Sequence, residues 1–241
     1  MFRTMWAIAV VLMIVLTRAA DAAILFEDDF EGDGIGDAPA KWDVVAPLNL
    51  EVIRDPDDAA NQILSEQGEG NGNGVPVPTG WEDQDFWTDY VWEWDWMWDG
   101  DGYAGTAHRY QGATNYYHSS RRAGGASFII YRWDGNWNEM HNQPWPSEVG
   151  VWYSMQSTDI GNEHFVKAKP RDDDTPFEEL DPIVTAVDDQ YPDGPIGLFG
   201  IGDAPHLFWD NIIVYEPGTN IRAVDPAGKT ATTWARIKRA K

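Results

Sequence analysis

Residues 89–102 read DYVWEWDWMWDGDG. Trp92, Trp94, Trp96 and Trp98 alternate with Glu93, Asp95, Met97 and Asp99. An extended strand, with its side-chain period of two, sends the four indoles to one face and the carboxylates to the other. Ionised carboxylates facing a dry core without partners cost far more than a strand recovers by burying its other side. The indole side therefore belongs between two layers, and Glu93 and Asp95 look outward. The converse reading makes this strand the edge of an aromatic platform on which a sugar stacks.

A two-layer fold requires more strands, and the chain supplies them. Short β-branched or aromatic runs at 24–30, 48–54, 90–98, 104–110, 126–133, 150–157, 163–169 and 207–215 are separated by Gly, Pro, Asn and Asp clusters such as GEGNGNGVPVPTG (68–80) and KPRDDDTPF (169–177). This is the pattern of an all-β, antiparallel two-sheet sandwich. No long amphipathic helix is expected before residue 217. With 241 residues, the length suits one large domain.

The ends of the chain differ from its body. Residues 1–22 carry Arg3, the apolar run WAIAVVLMIVLT and the small-residue stretch AADAA, an export signal with cleavage expected before Ala23. The run of twelve is shorter than the roughly 20 residues of a membrane-spanning helix. A secreted or extracytoplasmic protein with no membrane span follows. Residues 23–217 form the expected domain, and 218–241 a basic tail with Arg222, Lys229, Arg236, Lys238, Arg239 and Lys241 against one acid, Asp225. The tail's expected contacts are the acidic body or an anionic cell-envelope polymer. The net charge of −23 makes nucleic acid a poor partner and leaves neutral glycans, cations and basic proteins. With no cysteine, thiol catalysis, thiolate metal sites and disulfides are excluded.

A glycan site sets carboxylates, amides and Arg around sugar hydroxyls, with aromatic rings under the apolar ring face. The candidates are Glu93, Asp95, Arg109, Tyr116, Tyr117 and Trp137. A hairpin of 90–98 with 104–110 through DGDG would bring Arg109 near the start of the tryptophan strand, although the sequence does not fix the register. The acids of ILFEDDFEGDGIGDAP (24–39) have two readings, a solvated turn or a cation site. Asp29, Glu31, Asp33, Gly34 and Asp37 follow the spacing of an EF-hand-type loop, but Ala40 stands where its bidentate acid belongs.

In order along the chain, LFEDDFEG, DYVWE, RYQ, NYY, WYSMQ and GPIGLFG followed by FWDNIIVYEP resemble the secreted bacterial laminin-G-like, or concanavalin-A-like, jelly-roll domains. That group includes carbohydrate-binding modules, family-16-like glycosidases and 3-keto-disaccharide hydrolase relatives. The resemblance covers about residues 24–217. It implies a jelly-roll sandwich with a glycan on the concave face and a structural calcium where the first and last strands meet, at Asp28, Asp29 and Asp210. Alternation places Asp28 on a face with Ile24, Phe26 and Phe30, and Asp210 with Phe208, Ile212 and Val214, so both acids need partners.

Catalysis is less well supported. A retaining glycosidase needs two carboxylates about 5 Å apart. The resembled E-x-D-x-E and E-x-D-x-x-E strands find Glu93 and Asp95 here, but Met97 or Trp98 replaces the last acid. A polysaccharide lyase would draw on His108, Arg109, Tyr116, Tyr117 and His118, against repulsion of a polyuronate by the acidic body. No catalytic residue is assigned. The leading expectation is a carbohydrate-binding domain, with a sugar-active enzyme or a non-catalytic cell-surface adhesive domain as alternatives.

Overall fold

The computed structural model describes residues 23–43, 50–66, 75–81, 87–100, 103–122, 126–201, 207–219 and 221. The expected export signal and residues 222–241 of the basic tail lie outside them. The strands are β1 (Ile24–Asp28), β2 (Trp42–Asp43), β3 (Leu50–Arg54), β4 (Gln62–Glu66), β5 (Val77–Pro78), β6 (Tyr90–Trp98), β7 (Tyr103–His108) and β8 (Tyr116–Arg121). They continue with β9 (Ser127–Trp133), β10 (Trp137–Pro144), β11 (Tyr153–Ile160), β12 (Glu163–Pro170), β13 (Val184–Val187), β14 (Gly197–Ile201) and β15 (Leu207–Tyr215). A 3-10 turn, Phe177–Glu179, lies between β12 and β13.

Two antiparallel sheets form the sandwich. The eight-stranded sheet runs β13-β12-β11-β6-β15-β4-β3, with β1 also on β15, and the five-stranded sheet runs β10-β9-β8-β7-β14. The tryptophan strand β6 lies inside the larger sheet, between β11 and β15. Its four indoles are sealed in the interlayer core, each at most 1% exposed, while Glu93 and Asp95 lie half-buried on the outer face. The five-stranded sheet meets these rings with Ala104, Phe128, Ile130 and Leu198.

β6 and β7 are not a hairpin. They sit in different sheets, β7 pairing with β8 and β14, because each sends an apolar face to the same core from opposite sides. β2, β4, β5, β8, β10, β13 and β14 were not among the expected strands.

The core also encloses Glu66, which is 3% exposed and shares the inner side of β4 with Leu64. Its carboxylate is close enough that a Cβ on Gly200 would meet Oε2. Burial pushes this carboxyl up to about 7. The fold therefore holds the proton more tightly than the unfolded chain, whose Glu titrates near 4.3. Stability is greatest below that lower value and declines as pH rises towards about 7. Glu66→Gln should stabilise the protein by about 3 kcal/mol at pH 8. Urea denaturation at pH 8 and pH 4 checks this, with the difference expected to vanish at the lower pH.

Candidate functional site

The strands of the smaller sheet carry large side chains on their outward faces, and these build the site. The register aligns Gly197, Ala107, His118, Tyr131 and Glu139 in one row across the five strands. Phe199, Gly105, Ser120 and Ile129 form the next row on the same face. Tyr103, His118, Tyr131, Trp137 and Phe199, one from each strand, line a recess of about 250 Å³. Trp137 is its exposed wall, 42% open to solvent. That ring packs against His118 at 5.5 Å, Tyr131 at 5.6 Å and Trp133 at 4.3 Å between centroids.

His118 is buried at the base, and its Nδ1 has no hydrogen-bond partner. Burial, helped by nearby His108, pushes its pKa down to about 3, so the ring is neutral at physiological pH. Burial also raises the Tyr131 phenol, reinforced by the Glu139 carboxylate beside it. The recess thus combines aromatic faces with a neutral imidazole and an acidic rim.

Of the six residues expected around a glycan, Trp137 alone lines this recess. Glu93 and Asp95 lie on the far side of the molecule, the outer face of the larger sheet. There Glu93 accepts hydrogen bonds from Gln156 and the Tyr215 hydroxyl, and Asp95 from Ser154 and Asn211. Tyr116 shares the outward face of β8 with His118 but is covered by Tyr110, Val75 and Val77. Tyr117 points inward and donates to Asp188.

Arg109 is wholly buried and cannot reach a ligand. A positive φ of 47° turns the chain at this residue, and its guanidinium donates to the carbonyls of Gly161, Tyr191 and Thr88. It ties loops together. Sequence reasoning missed Tyr103, Tyr131 and Phe199 and considered His118 only for a lyase; the aromatic content of YYHSSR and FIIYRW was visible, but not the pairing that collects one ring per strand.

The calcium residues are also engaged within the protein. Buried Asp28 accepts from the Trp42 indole and the Phe30 amide and pairs with the Lys41 ammonium at 3.3 Å. Its carboxyl is raised by burial, with Lys41 opposing. Asp29 and Asp33 accept backbone N–H groups of their own loop, from Glu31 and Ala40. Asp210, almost fully buried, accepts from Asn61 and the Asn211 amide. Among the described residues no three His, Asp or Glu gather to hold a metal ion. The Lys41 ammonium thus occupies one oxygen of the Asp28 carboxylate.

A second polar cluster crosses between the sheets. Asp159 of β11 meets His108 Nδ1 of β7 at 3.0 Å and His164 Nδ1 of β12 at 2.7 Å, and all three are buried. Ser157 donates to the same carboxylate. Sealed from solvent, the cluster braces the layers. Burial alone would raise Asp159, but the two imidazoles hold its carboxyl well below the usual range.

No family model and no curated protein matches the sequence. Solved structures share the fold. A carbohydrate-binding module, CBM66, from Bacillus subtilis superposes with a TM-score of 0.52 at 16% identity, over 71% of this chain and 93% of the module. A B. subtilis protein of unknown function with a galectin-like fold gives 0.56 at 13% identity, over 81% and 97%. The exoplasmic/lumenal domain of VIP36, in its Ca2+/Man2-bound form, gives 0.53 at 12% identity, over 82% and 88%. The chain therefore has a two-sheet jelly-roll sandwich fold.

The depressed Asp159 carboxyl contributes stability that is present above the unfolded value near 3.9 and is lost as pH falls through its folded value. Asp159→Asn should cost about 3–5 kcal/mol at pH 6, as expected when a buried ion pair loses one partner. The gap to wild type should narrow below about pH 4 when urea midpoints are followed from pH 6 to 2.5.

Proposed function

We propose that the protein is an exported carbohydrate-binding domain that lays a sugar ring against Trp137 on the outward face of the five-stranded sheet. The observation that carries this reading is the aromatic recess, with one ring from each strand and a solvent-open indole at its edge. Small-molecule pockets begin near 300 Å³, so a recess slightly below that size takes one small ring rather than a long segment of polymer. Aromatic faces match the apolar face of a pyranose, and Tyr103 and Tyr131 add hydroxyl groups. The similarity to a carbohydrate-binding module and to the Ca2+/Man2-bound VIP36 domain supports the same class of ligand. Export follows from the reading of residues 1–22, and no described helix is long and apolar enough to cross a membrane.

Trp137→Ala should weaken glycan binding at least tenfold, equivalent to about 1.4 kcal/mol, without lowering the melting temperature materially. Glu93→Gln, on the opposite face, should leave affinity unchanged. Glycan-array screening followed by titration calorimetry tests both variants. Undiminished binding in Trp137→Ala would move the site elsewhere, and release of new reducing ends during titration would favour the enzyme alternative.

Calcium enters this reading through the VIP36 comparison, since Asp28, Asp29 and Asp210 are otherwise engaged. A structural ion held at about a hundred times its dissociation constant stabilises by about 2.7 kcal/mol. Chelation should then lower the melting temperature by about 5–10 °C. An unchanged melt removes the ion and leaves the sugar recess intact.

A further inference from the structure

We propose that the recess prefers an amino sugar with a free, protonated amine, placed between the Trp137 ring and the Glu139 carboxylate, over neutral or acidic sugars of the same shape. This rests on the carbohydrate reading above and assigns it a ligand charge.

The geometry supplies two attractions for a cation at one end of the recess. Trp137 is 42% open to solvent, and a cation over its ring within about 6 Å of the centroid would be attracted by the ring quadrupole. Glu139, exposed and two residues along β10, faces the same side and pairs in register with Tyr131. The carboxylate accepts a long 3.5 Å hydrogen bond from Asn142 and has capacity for a ligand ammonium.

The rest of the lining offers little opposition. His118, the only side chain among the five that can become a cation, stays neutral at the base. Arg122 is the charged neighbour on the other side of Tyr131. It is exposed and stands across from Tyr103, two rows away from Glu139 on the same face. The amine is thus directed to the Trp137 end, with Arg122 at the far end. The chain's net charge of −23 adds a long-range bias towards cations and against uronates.

The test uses methyl glycosides in gluco, galacto and manno configurations, each as the 2-amino, 2-acetamido and parent 2-hydroxy sugar, plus the matching uronates. Tryptophan fluorescence at pH 6.5 and low ionic strength reads affinity. In the configuration that binds, the amino sugar should bind about three- to thirtyfold more tightly than the parent. Glu139→Gln should bring that ratio towards one, and added salt should do the same.

Equal or weaker binding of the amino sugar, or tighter binding of a uronate, overturns the charge assignment and leaves the carbohydrate reading standing. If no sugar of any configuration perturbs wild type relative to Trp137→Ala, the carbohydrate reading itself fails at this recess. An amine preference that survives Glu139→Gln and high salt removes Glu139 from the proposal's mechanism and overturns it as stated.

Discussion

Everything in this fold is arranged around four indoles carried by one strand. Each buries roughly 150–250 Å², worth roughly 4–6 kcal/mol at the usual hydrophobic coefficient. The Nε1 atoms of Trp92, Trp94, Trp96, Trp98 and Trp209 lack a hydrogen-bond partner, and each such loss costs about 1–3 kcal/mol. Burial wins at every position, which is why a strand can place so many polar N–H groups in a dry layer. The ring geometry softens the cost: Trp94 meets Trp96 at 76° and Trp96 meets Trp98 at 67°, so edges approach π faces. With that side of β6 committed inward, Glu93 and Asp95 must face out, and the larger sheet must receive β11 and β15 as flanks.

The sandwich is held differently at its two ends. Around Trp96, Trp98, Phe128 and Trp145 it is closed by aromatic packing, with the Arg121 guanidinium over the Trp98 ring. Around β7's end it is closed by polar contacts: His108 and His164 on Asp159, Tyr117 and Arg132 on Asp188, and Arg109 on three carbonyls. Hydrophobic packing is non-directional, whereas these bonds fix one sheet's position against the other. Arg109 and Tyr117 have the residue types of a ligand site, yet the terminal nitrogens of Arg109 and the Tyr117 hydroxyl are engaged within the protein. Residue type alone could not separate the two roles.

The sequence made β6 legible because its alternation is strict and its chemistry extreme. β15 was equally clear, since FWDNIIVY is long and apolar. Strand β8, YYHSSR, is buried on both faces but reads as polar, because its Ser, His and Arg pack within the sheets instead of facing water. β10, WNEMHNQP, fails for the opposite reason: it is an edge strand with little buried surface, so alternation has no core to answer to. The site inherits both difficulties. Trp137 was recognisable as an aromatic in a polar setting, but its companions come from four other strands whose register no local pattern encodes.

The position of the recess follows from a gradient of side-chain size across the smaller sheet. Along the row Gly197, Ala107, His118, Tyr131, side chains grow from none to large. On the small side the segment carrying Val75 and Val77 lies flush: Leu198 N–H donates to the Pro76 carbonyl, and a Cβ on Gly197 would meet Val75 Cγ1 at 2.3 Å. That cover satisfies an edge which would otherwise offer unpaired backbone groups to another chain. On the large side Tyr131 and Trp137 stand on the sheet, and with Tyr103, His118 and Phe199 they line the recess. Filling Gly197 would lift the cover before it touched the site, so the glycine and the aromatics are two halves of one packing solution.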